Sequence, residues 1–397
     1  MWHVLDVGSI WMKEFATALS DLVPVKCWAP KIRNFGWWEN WEREIALPDP
    51  RLQMTSFPLQ RCYARFPVGE LLGIGSQVAG RLLRNTPNPR ESTLVCTSPF
   101  YAPVAERWPG RVIYYLTDLI AAYPGMNRPK VEALDRRMCG VADLVCPNSR
   151  RTGEYLRTVG GCDPKKLLVI PNATRRRNVL VEPLDQAGPL PVDLADLPRP
   201  IVGVIGNLSY NLNWRLLRDL VDGTPGFSWA FVGPVDMKIT DAGQRESRRD
   251  LIERGGRVRF TGAKPYGALC EYGRALDVAL LPYLKSEAVF SASATRFYEH
   301  LAACRPILST RGMDELLQKE PLLKLVDNAG AAIAELERLR DIDFRDGNER
   351  ARWKASAEGT WEARARAMVS GADQGQAAFD QACKPGLTFA GAEAAQA

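Results

Sequence analysis

Short apolar runs recur along this chain, bounded by polar residues, glycine or proline. His3–Val7, Val23–Trp28, Thr93–Cys96 and Arg111–Thr117 read as strands in the first half, with Ile10–Leu22 as an intervening helix. Ile201–Ile205, Phe227–Gly233, Arg257–Gly262 and Asp277–Tyr283 repeat the pattern in the second half. Strands that alternate with helices imply parallel sheets covered by helices. Two such series predict an α/β protein with two Rossmann-like domains and mainly parallel sheets. At 397 residues the chain is long enough for each domain to bury its own core.

The stretch Ser291–Thr310, SASATRFYEHLAACRPILST, carries the densest chemistry. It reads as a helix from an N-cap at Ser293 to a stop before Pro306, followed by a strand. Phe297, Leu301 and Cys304 fall on one face; Arg296, Glu299 and His300 fall on another. A helix start attracts anions, so Ser293, Thr295 and Arg296 suit a phosphate, and Glu299 one turn deeper suits hydroxyls. That set fits a nucleotide diphosphate with its ribose. A solvated polar face on an amphipathic helix accounts for the same pattern. Lys285, on the approach to the helix, can assist at the phosphates, and the Gly206-Asn207 turn after Ile201–Ile205 can approach a pyrophosphate. The glycine pattern is not G-x-G-x-x-G, which speaks against a dinucleotide cofactor.

In the first half, Asp118 follows the strand at 111–117. A carboxylate at the carboxyl end of a sheet strand can be a general base; an N-cap is its commoner job. The loop Thr97–Tyr101 follows another strand end. FGWWENWER, at 35–43, places Trp37, Trp38 and Trp41 together as sugar platforms, a membrane anchor or core. Pro67–Arg84 reads as a glycine-interrupted helix. Asp341-Ile342-Asp343 matches D-x-D but lies in a charged run after a helix, so no metal site is assigned to it.

Charge is uneven. Residues 1–180 hold 25 Lys+Arg and 16 Asp+Glu, a net of +9; the remainder holds 27 and 30, a net of −3. The basic half suggests an anionic partner, with a membrane surface or lipid diphosphate ahead of nucleic acid, for which no module is readable. No apolar run reaches 18 residues and no basic leader precedes the first strand, which predicts a cytoplasmic protein. The nine cysteines include no C-x-x-C pair, which predicts free thiols.

The 291–310 stretch resembles the nucleotide-binding segment of GT-B glycosyltransferases of the group 1 and family-four-like kind, P-x-K-x-x-E-Y-L-A-x-G-x-P-V-x-x-T. Ala294 stands for the proline, Arg296 for the lysine, Glu299 for the ribose-binding glutamate, His300 for the tyrosine, Cys304 for the glycine and Pro306 for the proline. The earlier glutamate of the family's E-x7-E pair falls at Ser291. Tyr114 and Asp118 are similar to the Y-x-x-x-D of xanthan-type glucuronosyltransferases, whose aspartate is the base; teichuronic-acid-type enzymes look similar there. VADLVCPNS at 141–149 and LLVIPN at 167–172 resemble the last strands of a GT-B first domain.

The resemblance implies a GT-B fold, with two domains facing across a cleft. It implies a metal-independent transferase without cofactor, moving a sugar from a UDP-type donor to a lipid-linked or polysaccharide acceptor; the basic first half and the Trp37, Trp38, Trp41 cluster suggest peripheral attachment to the inner membrane. Asp118 would be the base; Gly206, Asn207, Lys285, Ser293, Thr295, Arg296 and Glu299 would bind the donor. Tyr101, Tyr114, Trp37 and Trp38 would face the acceptor. The expected layout is a first domain at 1–177, a linker at 178–200, a second domain at 201–345, a returning helix at 346–370 and a disordered tail at 371–397. A sugar-nucleotide 2-epimerase and a non-catalytic nucleotide-sugar binder share the same fold and remain alternatives.

Overall fold

The computed structural model describes residues 1–34, 37–38, 52–60, 73–184, 186–236, 239 and 241–374. The chain divides into two compact units: 1–171 together with 364–397, and 172–363.

The first unit is built on strands β1 (Trp2–Leu5), β2 (Val25–Asn34), β3 (Trp37–Trp38), β4 (Gln53–Gln60), β5 (Thr93–Cys96), β6 (Arg111–Leu116) and β7 (Leu144–Pro147). Six of them run parallel in the order β4-β2-β1-β5-β6-β7. β3 is an addition, antiparallel to the far end of β2 through Arg33↔Trp38. β1, β5 and β7 are buried along their whole length, as expected of parallel strands covered on both faces. The covering helices start where the sequence offers a cap. Ser9 Oγ accepts from Met12 N at 3.3 Å for Ile10–Ser20, and Ser149 Oγ accepts from Thr152 N at 3.0 Å for Arg150–Thr158.

The second unit holds β8 (Ile201–Ile205), β9 (Ser228–Val232), β10 (Val258–Gly262), β11 (Val278–Leu281), β12 (Ile307–Thr310) and β13 (Lys324–Val326). Its order is β10-β9-β8-β11-β12-β13, all parallel. Each sheet therefore places its first strand centrally and reverses direction beside it, at β1/β5 and at β8/β11. Open α/β sheets bind ligands outside the carboxyl ends of the strands at such a reversal.

Several expectations are corrected. Residues 172–177 and the stretch expected to be a linker, 178–200, belong to the second unit. Leu194 and Leu197 are buried in its core, and Asp277 holds Arg199 Nη1 at 2.9 Å and Ile201 N at 2.7 Å, so this segment is tied down. Part of the loop expected at 35–43 is a strand at Trp37–Trp38. Trp41 lies outside the described residues, as do 67–72 of the Pro67–Arg84 helix, whose described part is Ile74–Arg84. The C-terminal helical region is two helices, Glu349–Glu358 and Trp361–Gln374, broken at Gly359 and Thr360. A Cβ at Gly359 would meet Tyr298 Cδ1 at 3.0 Å. The last helix belongs to the first unit from Arg364 on and takes in 371–374; the rest of the expected tail lies outside the described residues. Asp341 ends the helix Ala329–Asp341. Among the described residues the cysteines are free thiols, and no helix is long and apolar enough to cross a membrane.

Candidate functional site

In the second unit, β8 ends at Ile205 and the chain turns at Gly206, whose φ is +110°. Such a backbone favours glycine, and a Cβ here would lie 2.8 Å from Arg296 Nε, so a larger residue has to displace that side chain. Arg296 lies against this turn. Its Nε donates to Ile205 O at 2.7 Å and its Nη2 donates to Asn207 O. Its guanidinium carbon stands 5.6 Å from the Tyr283 ring centre, beyond the end of β11. The sequence-predicted trio Gly206, Asn207 and Arg296 is thus assembled beside the β8/β11 reversal. Both hydrogen-bond acceptors of Arg296 are neutral carbonyls, which orient the guanidinium without cancelling its charge.

One turn on, Glu299 is surrounded by donors. Its Oε1 accepts from the Tyr266 hydroxyl at 2.6 Å; its Oε2 accepts from Thr174 Oγ1 at 3.1 Å and Asn178 Nδ2 at 2.9 Å. Burial raises its pKa, and the three donors, Tyr266 foremost, only partly offset this. Arg175 lies over Tyr266, its guanidinium carbon 3.9 Å from the ring centre. Thr174, Arg175, Asn178 and Tyr266 are residues that the sequence reading did not bring to this carboxylate. In the run Arg175–Arg177, Arg175 is buried while Arg176 and Arg177 are exposed.

The helix start differs from expectation. The helix is Thr295–Leu301, and Ala294, not Ser293, holds the cap position, with no side-chain cap. Ser293 Oγ instead accepts from Asn172 N at 2.9 Å and donates to Glu315 Oε2 at 2.9 Å. Glu315 also accepts from Ala294 N at 2.8 Å and from the Tyr298 hydroxyl at 2.5 Å. A carboxylate of the chain therefore fills the place expected for a phosphate, the same dipole argument met from within. Thr295 is half-buried. Lys285 is exposed, its ammonium 5.2 Å from the Phe290 ring centre. His300, expected beside Arg296 and Glu299 on the polar face, is buried; desolvation, then the nearby Arg296, push its pKa down to about 3.

In the first unit, Asp118 lies two residues beyond β6. It is half-buried, and its burial pushes the pKa up to about 6 against a smaller downward pull from a hydrogen bond with Tyr123. The preceding turn is fixed from β7: Asn148 N donates to Leu116 O at 3.0 Å and its Nδ2 donates to Thr117 O. Tyr114, expected on the acceptor side, is fully buried, and its hydroxyl donates to Asp135 Oδ1 at 2.5 Å beside Tyr155, which donates to Oδ2 at 2.7 Å. Tyr101 is buried too, edge-on to Phe57 with ring centres 6.5 Å apart. Tyr114 has a core role because strand residues in a doubly covered sheet point into packing on either face, and Tyr101 is buried from the short turn Pro99–Tyr101 that follows β5. Trp37 and Trp38 are placed as β3. A second carboxylate, Asp6, follows β1 at φ +60°; its burial raises its pKa to about 6. The sequence placed it inside the strand expected at His3–Val7, whereas the strand ends at Leu5.

Known structures match this architecture. The Anabaena protein HepE, solved with UDP and glucose, superposes over 94% of this chain and 99% of its own, at a TM-score of 0.68 and 14% identity. Sucrose-phosphate synthase from Thermosynechococcus elongatus covers 94% and 98%, at 0.67 and 17%. The lipopolysaccharide outer core galactosyltransferase WaaB covers 94% and 99%, at 0.58 and 12%. No protein-family model matches the chain, and no curated protein matches it by sequence. The fold is that of the GT-B glycosyltransferases.

Proposed function

We propose that this chain is a glycosyltransferase of the GT-B fold that moves a sugar from a nucleotide diphosphate, UDP-linked sugars first, to a hydroxyl of a lipid-linked or polysaccharide acceptor. The observation that carries the reading is the Gly206–Arg296–Glu299 arrangement beside the β8/β11 reversal. The glycine turn lets the Arg296 guanidinium come up against main chain at the end of β8. Arg296, held by neutral carbonyls, offers positive charge to the departing diphosphate, an electrostatic role that needs no metal. Glu299 is the acceptor for ribose hydroxyls. UDP and UDP-glucose complexes of HepE make UDP the first nucleotide to try.

Asp118 is the base. A sugar hydroxyl is a weak nucleophile until its proton is accepted, and a carboxyl with a pKa of about 6 is ionised at neutral pH yet more basic than an ordinary aspartate. The +9 surplus over residues 1–180 fits an anionic lipid-linked or polysaccharide acceptor and peripheral attachment to an anionic membrane. The three donors already around Glu299 favour one second reading, a purely structural glutamate. A thermal-shift panel of UDP-, GDP- and ADP-sugars on wild type, Arg296→Ala and Glu299→Gln separates the two. Stabilisation by UDP-sugars that both variants lose supports the proposal; stabilisation that Glu299→Gln keeps in full assigns Glu299 to structure.

A further inference from the structure

Asp6 is the first residue beyond β1, the strand beside which the first sheet reverses its order. Its φ of +60° belongs to a left-handed backbone that glycine adopts freely and aspartate and asparagine tolerate. The turn is closed by main chain alone: Gly8 N donates to Asp6 O at 2.7 Å, and Val7 N donates to Trp28 O at 3.2 Å. The carboxylate has no part in that closure. Burial is the sole cause of its raised pKa, with no hydrogen bond or cation acting on it among the described residues. A half-buried carboxylate with no donor from the chain is left to accept from solvent or from a hydroxyl-bearing ligand.

The register fixes its neighbours. Val4 pairs Val95, and Val95 pairs Ile113, so Asp6 lies level with Thr97 and Tyr115. Asp118 follows three residues after Tyr115. Strands spaced by about 4.8 Å put β1 and β6 roughly 10 Å apart, with β5 between them. At the end of β5, Thr97 Oγ1 donates to Leu5 O at 3.2 Å and Ser98 Oγ accepts from Phe100 N at 3.4 Å, so both hydroxyls are engaged. This edge thus carries two carboxylates, and among the described residues no cation acts on either.

We propose that Asp6 binds the acceptor: its carboxylate accepts a hydrogen bond from a hydroxyl of the sugar that Asp118 deprotonates, and that sugar is uncharged. The proposal rests on the glycosyltransferase reading above. An anionic sugar would meet two carboxylates, so the basic surplus of the first 180 residues acts on a part of the acceptor remote from the reacting hydroxyl.

The test is saturation-transfer NMR on the full chain with methyl glucoside, methyl galactoside, methyl N-acetylglucosaminide and methyl glucuronide, alongside UDP-sugar turnover. Asp6→Asn keeps a residue that tolerates the left-handed turn; Asp6→Gly relieves it. Both are expected to fold with a melting temperature equal to or above wild type. The neutral glycoside that wild type binds should weaken about tenfold or more in Asp6→Gly, the equivalent of one lost charged hydrogen bond, with UDP affinity unchanged. Unchanged glycoside affinity in both variants overturns the contact, as does a wild type that prefers the glucuronide or binds no glycoside. A wild type that binds a glycoside through Asp6 but transfers no sugar supports the contact and overturns the transferase reading.

Discussion

Tyr266 donates its hydroxyl to Glu299 Oε1 at 2.6 Å, while Thr174 and Asn178 hold Oε2. A ribose diol at this carboxylate therefore replaces hydrogen bonds that the chain makes by itself. Glu299→Ala strips three donors of their acceptor, so it is expected to destabilise the free protein by roughly 1–3 kcal/mol as well as to weaken nucleotide binding. Glu299→Gln keeps an acceptor oxygen and separates the two effects. We expect its UDP dissociation constant to rise about tenfold by calorimetry, with the free protein melting near wild type. Equal UDP affinity in the Gln variant contradicts the ribose role.

Asp6, Asp118 and Asp135 share a folded pKa of about 6, raised by burial from 3.8. A raised carboxyl pKa means that the folded state keeps a proton the unfolded chain has released. Stability therefore falls as pH rises from about 4 to about 6 and stays lower above that window. Asp118→Asn removes one such group. It should be more stable than wild type at pH 7.5 by on the order of 1–2 kcal/mol, after allowance for partial exposure, and the difference should shrink towards pH 4. His3 and His300, with pKa values of about 4 and 3, slope the opposite way but cancel in this comparison. Superimposable melting curves at pH 7.5 contradict the burial argument.

Gly206→Ala puts a methyl 2.8 Å from Arg296 Nε at φ +110°. We expect a loss of about 1–3 kcal/mol and weaker UDP binding, since the turn and the guanidinium move together. Gly125, at φ +81° with open space around it, is the control. Gly125→Ala should lower the melting temperature through backbone strain alone and leave UDP affinity as it was. A Gly206→Ala protein with wild-type UDP affinity places the diphosphate elsewhere.

The fold was legible because strands of a doubly covered parallel sheet read as unbroken apolar runs. Ile201–Ile205 and Asp277–Tyr283 are such runs, and Asn213 caps the helix Trp214–Gly223 that follows the first of them. Gly206 and Arg296 were legible as a glycine turn and a cation on a helix, and the structure joins them. What was hidden depends on contacts between distant segments. Ser293 looks like a cap, but Glu315, 22 residues on, claims the Ser293 hydroxyl and the Ala294 amide. Helical spacing put His300 with Arg296, yet it is buried, and periodicity alone cannot say how wide the buried stripe is. Tyr114 was aligned with Asp118 by spacing; only the fold brings Asp135 to its hydroxyl. Asp6 carried no motif, since a left-handed aspartate has no local signature.

The +9 charge over residues 1–180 predicts salt-sensitive binding to anionic vesicles. Sedimentation with phosphatidylglycerol vesicles should show binding at low ionic strength that falls as salt rises, and none with phosphatidylcholine. Equal binding to both vesicle types, or to neither, removes the membrane from the account.

Product mass spectrometry with UDP-sugars and a glycoside acceptor, at pH 7.5, on wild type and Asp118→Asn tests sugar transfer by Asp118 directly. Wild type should yield an acceptor heavier by one sugar residue, and Asp118→Asn a rate lower by about 10²–10⁴-fold with UDP affinity unchanged. A variant that transfers at the wild-type rate, or a wild type that binds UDP-sugars yet adds no sugar to any acceptor, contradicts it.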